Sequence, residues 1–287
     1  MRLLAFTHRG NQSIGVELDN NQVLDLSSAA GLPRSMRAFL EMGDSGMEIA
    51  RKLVERPCKG AVLLKRDLRL LGPLNSEERP KLICIGLNYA DHAAESGSKV
   101  PEEPLMFAKY HSTLCGPDDN IVAPPKYSKL DYEVELVIVI GKRASRVTQA
   151  EAYDYVAGYT CGHDVSEREF QRGDGQWLRA KSSDTFAPIG PVITTKDEIT
   201  DPHGLKLGTK VNGEVRQNST TAQLIFKVPK LVEFVSSYIT LDPGDLIFTG
   251  TPPGVGFGMK PPQYLKPGDR IEVWVEKIGS LLNTVVE

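Results

Sequence analysis

One segment constrains the fold more than any other, because residues 132–140 (YEVELVIVI) join an almost wholly apolar strand to two glutamates at its start. Successive side chains of a strand point to opposite faces, so Glu133 and Glu135 share a face with Val137 and Val139. A strand that is apolar on both faces is covered by other elements on both faces. The sequence therefore predicts a buried strand that carries two neighbouring carboxylates at one end.

Two carboxylates this close in a low-dielectric interior cannot both stay ionised without a compensating charge. A divalent cation is the simplest such charge, and hard oxygen ligands favour Mg²⁺, Ca²⁺ or Mn²⁺ over zinc. The alternative is that this end of the strand is exposed, so that Glu133 and Glu135 are solvated. The segment alone leaves both interpretations open.

The first part of the chain predicts a small α+β domain over residues 1–75. Short strands with a hairpin turn are followed by helices over residues 35–41 and 47–55, the second with Asp44 or Ser45 as its cap. The polar run 75–80 (NSEERP) is the best candidate for a linker.

The second part, residues 76–287, predicts a mixed β-sandwich or roll. Short strands separated by turn signals dominate it, and helices are too sparse for regular strand–helix alternation. The capping pattern TQAE at 148–151 predicts a helix that ends at Gly158, and Pro229 is typical of a first helical turn. The fold class expected for the whole chain is therefore α+β and rich in strands.

A further carboxylate lies in residues 162–168 (GHDVSER). Asp164 is predicted to follow a strand and to open a helix, which makes it either a ligand at a sheet end or a plain N-cap. Arg168 comes four residues later, on the same side of that helix, and suits a substrate carboxylate. The alternative for Arg168 is a solvated surface arginine.

Residues 88–97 (NYADHAAESG) predict a very short helix capped by Asn88. His92 and Glu95 are three residues apart and share one face of it, so a histidine oriented by a carboxylate could serve as a general base that activates water. The alternative is an exposed pair without a catalytic role. Flexible flanking composition suits a lid over a site.

Two more pieces complete the candidate chemistry. Lys181 ends a short apolar stretch and is either a charge partner for an enolate or carboxylate or a solvated lysine. Residues 249–256 (TGTPPGVG) follow a strand and expose backbone N–H groups and the Thr251 hydroxyl, which can cradle a carboxylate. Their prolines argue against a dinucleotide fingerprint, and the sequence has no Gly-x-Ser-x-Gly elbow.

Charge and composition exclude other classes of protein. The formal net charge is −3, and the chain after residue 75 holds 29 acidic against 23 basic residues, which argues against a nucleic-acid-binding face. No apolar run approaches the roughly 20 residues of a membrane span, and the start of the chain resembles neither a signal nor a transit peptide. Four widely spaced cysteines indicate reduced thiols. We therefore expect a cytoplasmic protein.

From about residue 72 to the C-terminus the chain resembles the fumarylacetoacetate hydrolase family. The resemblance rests on five motifs in register, and it implies a β-rich roll, commonly a homodimer, with a small N-terminal unit before the catalytic domain. The motifs are 86–92 (GLNYADH), 131–135 (DYEVE), 163–166 (HDVS) with Arg168, 181–185 (KSSDT) and 249–254 (TGTPPG).

The resemblance also implies a role for each candidate residue. Glu133, Glu135 and Asp164 would bind Mg²⁺ (or Mn²⁺ or Ca²⁺), and His92, oriented by Glu95, would activate water. Lys181 would stabilise negative charge developing on the substrate. The residues implied in substrate binding are Arg168, Thr251 and Tyr89.

The family covers several reactions, so the resemblance leaves the activity open. We expect a metal-dependent hydrolase that cleaves a C–C bond in a small 2,4-diketo acid, either an acylpyruvate or a diketo-deoxy sugar acid. One alternative is a tautomerase or decarboxylase of oxaloacetate, or a 2-oxo acid isomerase. Another is a non-catalytic protein that binds a metal and a small acid.

Overall fold

The computed structural model describes residues 1–29, 31–92 and 99–287. Its α-helices in these ranges are α1 Met36–Glu41, α2 Gly43–Glu55, α3 Arg168–Gly173, α4 Leu178–Lys181 and α5 Val228–Tyr238. Its strands are β1 Arg2–His8, β2 Asn11–Leu18, β3 Gln22–Asp25, β4 Val62–Leu64, β5 Arg69–Leu71, β6 Leu82–Gly86, β7 Leu105–Lys109, β8 Leu114–Cys115, β9 Asn120–Val122, β10 Leu130–Asp131, β11 Val134–Ile140, β12 Val156–His163, β13 Ser166–Glu167, β14 Ala187–Thr195, β15 Lys206–Val211, β16 Glu214–Thr220, β17 Leu246–Phe248, β18 Arg270–Val275 and β19 Gly279–Val286.

Two large sheets pack face to face. The larger has the order β4-β3-β2-β1-β14-β12-β11-β17-β6-β7, and the smaller has the order β16-β15-β18-β19-β9. Strand β11 is buried along its whole length. Leu136 and Ile138 on one of its faces belong to the same apolar cluster as Val273 of the smaller sheet, and Val137 on the other face belongs to a second cluster with Leu246. The predicted strand-rich α+β sandwich and its doubly buried strand are confirmed.

The N-terminal strands are continuous with the larger sheet. Strand β1 pairs antiparallel with β14, where Leu3 lies opposite Ile193. The predicted linker is an ordered turn, because residues Ser76–Glu78 form a one-turn 3-10 helix closed by a capping box with Asn75. The Glu78 carboxylate accepts hydrogen bonds from the Ser35 hydroxyl (2.6 Å) and the Arg37 N–H (2.9 Å) at the start of α1. The domain division at residue 75 stays a prediction.

Two helix predictions were wrong in their extent. Helix α2 begins at Gly43, four residues before the predicted start, and neither Asp44 nor Ser45 is its N-cap. The segment after Thr148 forms only the 3-10 turn Ala152–Tyr155 before β12 begins at Val156. Gly158 does not end a helix but lies inside the sheet, where a Cβ atom would come within 2.2 Å of the Thr194 carbonyl oxygen. The first-turn position of Pro229 in α5 is confirmed.

Strand direction gathers the candidate residues at one edge of the larger sheet. Strand β11 is antiparallel to both β12 and β17, so its beginning lies beside their ends. Strand β6 is parallel to β17 and ends at the same edge. The segments that follow β12, β17 and β6 therefore meet the two glutamates at the start of β11. No helix of the described ranges is long and apolar enough to span a membrane.

Candidate active site with a predicted metal centre

Three carboxylates converge at this edge of the sheet. Glu133, Glu135 and Asp164 each offer an oxygen within 4.8 Å of the others, and all three are buried, with 7%, 2% and 0% of their surfaces exposed. Asp164 follows β12 and precedes β13, while Glu167 provides the N-cap of α3, so the N-cap interpretation of Asp164 was wrong. The start of the central strand is therefore a buried cluster of carboxylates and not a solvated strand end.

Two buried lysines compensate part of this negative charge. The Lys181 ammonium lies 2.7 Å from Glu133 Oε2 and 2.7 Å from Asp164 Oδ2. The Lys109 ammonium donates to the other oxygen of Asp164 and to the Val165 carbonyl (3.2 Å). Lys109 was not predicted from the sequence, although it ends a strand two positions after Phe107 and therefore shares the face of that aromatic residue.

The carboxylates differ in their protonation. Burial opposes ionisation of Glu133, but Arg168 and Lys181 outweigh it and hold the pKa of Glu133 well below its usual range. Burial, together with Asp164 and Glu133, raises the pKa of Glu135 well above its usual range. Among the described residues, the Glu135 carboxylate accepts a hydrogen bond only from the Gly250 N–H (2.7 Å). Within this described part of the chain Glu135 has no ion pair of its own, and the positive charge of Lys181 offsets its burial only partly.

This donor set fits a divalent cation. Buried carboxylate oxygens are the hard ligands that Mg²⁺, Mn²⁺ and Ca²⁺ prefer, and the poorly compensated Glu135 provides the charge that such an ion would neutralise. The assignment of Glu133, Glu135 and Asp164 as metal ligands stays a prediction.

Arg168 lies in the wall of the site and is held by three partners. Its Nε donates to Asp131 Oδ2 (2.8 Å), its Nη2 to Glu133 Oε1 (2.5 Å) and its Nη1 to Gln171 Oε1 (2.9 Å). Arg168 is buried, so the interpretation as a solvated arginine was wrong. Its guanidinium lies beside the carboxylate cluster, where it can add positive charge for an acidic substrate.

Asp131 was not singled out from the sequence, yet it connects several parts of the site. It is fully buried, and besides Arg168 it accepts hydrogen bonds from the N–H groups of Tyr132 (2.9 Å), Gly256 (2.7 Å) and Phe257 (3.1 Å). It thereby joins the arginine to the loop after β17. The available signal was its place directly before the glutamate-bearing strand.

Replacing Asp131 with asparagine is expected to lower the free energy of unfolding by about 3 kcal/mol, because the new NH₂ group would face N–H donors and Arg168 would lose a buried charge partner. We also expect KM to rise about tenfold as Arg168 and the loop lose their anchor. Urea unfolding and steady-state kinetics check this. Asp174→Asn, which breaks an exposed pair with Arg179, is the matched control and should leave the urea midpoint close to that of the parent.

The backbone N–H groups of the loop after β17 were expected from the sequence to cradle a carboxylate, but they have partners within the protein. The N–H groups of Gly250, Gly256 and Phe257 donate to protein carboxylates, which argues against a cradle for substrate built from them. Thr251 does reach the site, and its hydroxyl oxygen accepts a hydrogen bond from Gln217 Nε2 (2.8 Å). Gln217 was also missed, because nothing in its local sequence marks it.

His92 lies beside the carboxylates. The outcome is different for the other residues predicted from its segment, which are Glu95, Tyr89 and Asn88. Glu95 lies outside the described residues, so the predicted pairing with His92 stays a prediction. Tyr89 is fully buried, and its hydroxyl has no hydrogen-bond partner among the described residues. The Asn88 side chain is not a helix cap, because it binds the Thr249 carbonyl (2.8 Å) and the backbone of Phe226.

A cavity of about 80 Å³ opens beside these groups. Its apolar wall includes Ile85, Leu87, Phe107 and Trp177. Such a cavity can hold a small anionic molecule between a carboxylate cluster that suits a cation and the positive charges of a lysine and an arginine. Its polar lining includes His92, Glu133, Glu135, Arg168, Lys181 and Thr251.

Two relatives that match the whole of this chain are named oxaloacetate tautomerases. "Oxaloacetate tautomerase FAHD2A, mitochondrial" of Bos taurus is 43% identical over 100% of this chain and 92% of its own length. The Homo sapiens protein of the same name is 41% identical with the same coverage. These relatives match the alternative activity expected from the sequence better than the C–C bond hydrolase.

The expectation of a cytoplasmic protein was wrong. The bovine, rat and human relatives are all named mitochondrial, which points away from a purely cytoplasmic location. Reduced thiols are compatible with more than one compartment, so the spacing of the cysteines does not locate the protein.

Solved structures and the family comparison agree with the fold. The fumarylacetoacetate hydrolase of Exiguobacterium antarcticum superimposes with a TM-score of 0.87 at 36% identity, over 100% of this chain and 99% of that one. The 2-hydroxyhepta-2,4-diene-1,7-dioate isomerase of Mycobacterium marinum gives 0.78 at 36% identity, over 100% and 98%. Residues 81–286 match the sequence model of the fumarylacetoacetate (FAA) hydrolase C-terminal domain. The resemblance found in the sequence is confirmed, and the chain belongs to the fumarylacetoacetate hydrolase family.

Proposed function

We propose that this protein is a divalent-metal-dependent tautomerase that interconverts the enol and keto forms of small 2-oxo diacids of the oxaloacetate type. The observation that carries the proposal is the buried cluster of Glu133, Glu135 and Asp164 beside Lys181 and Arg168 in one small cavity. The full-length relatives named oxaloacetate tautomerases, at 41–43% identity, support this reaction over others of the family.

The residues of the cavity suit an enolate intermediate. A divalent ion held by Glu133, Glu135 and Asp164 would supply a Lewis acid for the 2-oxo group. Lys181 and Arg168 would hold the carboxylates of the substrate and the negative charge that develops on its oxygen. Thr251, whose hydroxyl oxygen accepts a hydrogen bond from Gln217, would donate a hydrogen bond to a substrate oxygen.

Tautomerisation needs a proton to leave the enol oxygen and another to reach the adjacent carbon. His92 lies in the cavity wall, and its imidazole is the group we assign to this transfer, since imidazole can both accept and donate a proton. The reaction is an isomerisation, so it consumes no water and breaks no C–C bond.

Hydrolysis of a 2,4-diketo acid is the second candidate. The same cavity places His92 where it could activate water, and the maleylpyruvate hydrolase of a Sphingobium strain has this fold, with a TM-score of 0.81 at 30% identity. In that case, water attack would cleave the C–C bond next to the carbonyl that it attacks.

Turnover in H₂¹⁸O separates the two candidates. We would assay the chelator-treated and the Mg²⁺-loaded protein on enol-oxaloacetate, on acetylpyruvate and on a diketo-deoxy sugar acid, with product analysis by NMR and mass spectrometry. Metal-dependent loss of the enol without label in a cleaved carboxylate would support tautomerisation. Labelled cleavage products would establish hydrolysis, and stabilisation by oxalate without any turnover would indicate a binding protein.

The homodimer implied by the family resemblance is part of the proposal. Light scattering coupled to size-exclusion chromatography would measure the mass of the particle against the 31.5 kDa of one chain.

A further inference from the structure

Two aromatic rings separate the cavity from a larger groove on the outside of the protein. Phe107 and Trp177 line both spaces, of about 80 Å³ on the inside and about 390 Å³ on the outside. Their ring centroids are 5.1 Å apart, and their planes meet at 71°, an edge-to-face contact. We call these two side chains, which line both spaces, the aromatic wall.

The aromatic wall is tied directly to the reactive groups. The Trp177 carbonyl accepts a hydrogen bond from the Lys181 N–H (3.0 Å), so the indole and the lysine are carried by the same helical turn. The Lys181 ammonium lies 5.3 Å from the centroid of the Phe107 ring, within range of a cation–π contact. A substrate that contacts the Lys181 ammonium therefore lies close to the Phe107 ring of the aromatic wall.

The indole also rests tightly against the backbone. A Cβ atom on Gly86, at the end of β6, would lie 3.0 Å from Trp177 Cζ3, so a larger residue at this position would press on the ring. The outer groove is lined by the same ring together with Leu105 and Leu178, which are each 41% exposed. Nothing else among the described residues is shared by the inner cavity and this groove.

We propose that Trp177, supported by Phe107, determines the length of the acid that the site accepts. The inference rests on the proposed function. A four-carbon diacid can be held on the inner side of the aromatic wall, whereas a longer chain must displace the indole to continue into the outer groove. Removing the indole would join the two spaces and leave the charged groups in place.

The test compares chain lengths in Trp177→Ala and Trp177→Phe. Proton exchange at the carbon next to the 2-oxo group, followed by NMR in D₂O with Mg²⁺, would be measured for oxaloacetate and for 2,4-dioxo acids with increasingly long acyl chains. We expect the ratio of kcat/KM for long over short acids to rise about tenfold or more in Trp177→Ala, and less in Trp177→Phe, which keeps a ring.

Inhibition by oxalate should change less than this ratio does, because oxalate has no chain beyond its two carboxylates and the substitutions leave the charged groups of the cavity in place. Leu178→Ala is the matched control, because it changes the outer groove only and should leave the ratio as in the parent. An unchanged ratio in both Trp177 variants would overturn the inference. If the parent turns over none of these acids, the proposed function fails, and thermal stabilisation by the same series of acids with Mg²⁺ still tests whether Trp177 limits their length.

Discussion

Replacing Glu135 with glutamine is expected to abolish turnover while leaving the metal-free protein at least as stable as the parent. Burial and the neighbouring carboxylates favour the protonated form of Glu135, and glutamine has nearly the same shape as that form. The amide oxygen of glutamine can still accept the hydrogen bond from the Gly250 N–H. The variant therefore removes a charge that the metal-free site does not stabilise.

The same substitution should remove metal binding. It takes away one of the three carboxylates that we assign as ligands. We therefore expect the affinity for Mg²⁺ or Mn²⁺ to fall at least about 100-fold, which is more than is lost when a residue that only orients a ligand is removed. Isothermal titration calorimetry measures this affinity, and urea unfolding in the presence of a chelator measures the stability.

Glu133→Gln is the matched control with the opposite effect on stability. Glu133 is ionised between Arg168 (2.5 Å) and Lys181 (2.7 Å), so its neutral replacement takes one carboxylate partner from each of two buried cations. Breaking such a buried pair costs about 3–5 kcal/mol. Both variants should lose turnover, but only Glu133→Gln should unfold at lower urea. Equal destabilisation by the two substitutions would contradict the protonation states inferred for the cluster.

The strands of the site could be predicted from the sequence because their signal is local. An apolar run with two glutamates at its start predicts a buried strand, and Asp164 follows the next strand along the chain. That the ends of β12, β17 and β6 meet the start of β11 depends on pairing between distant segments, which periodicity alone does not give. Only the family resemblance predicted that these segments would meet in one site.

The supporting residues could not be predicted for the same reason. Lys109 meets an aspartate 55 positions away, and Gln217 meets a threonine 34 positions away, so neither contact leaves a pattern in its own segment. Gln217 also accepts hydrogen bonds from the Val134 N–H (3.0 Å) and the Thr209 hydroxyl (2.7 Å), so its whole side chain is used in holding strands and loop together. Such residues become visible only when the fold is known.

Replacing Lys181 with methionine is expected to lower kcat about 1,000-fold, the upper range for loss of a group that stabilises charge developing in the transition state. The ammonium also holds Glu133 and Asp164, and both carboxylates favour its charged form, which raises the pKa of Lys181 despite burial. Without a metal, the variant should therefore be less stable than the parent by about 3–5 kcal/mol. Mg²⁺ should stabilise the variant more than it stabilises the parent, because a divalent ion replaces the missing charge.

Lys109→Met separates the catalytic role of Lys181 from its structural one. Both lysines are buried and both pair with Asp164, but only Lys181 lines the cavity. Since Lys109 orients a predicted ligand without touching substrate, its loss should raise the Mg²⁺ concentration required by about 10–100-fold and leave kcat at saturating metal within about tenfold of the parent. Metal titrations of kcat for both variants measure the difference. If saturating Mg²⁺ restored the kcat of Lys181→Met as fully as that of Lys109→Met, Lys181 would only balance charge, and the stabilisation of the enolate would have to come from Arg168 and the metal.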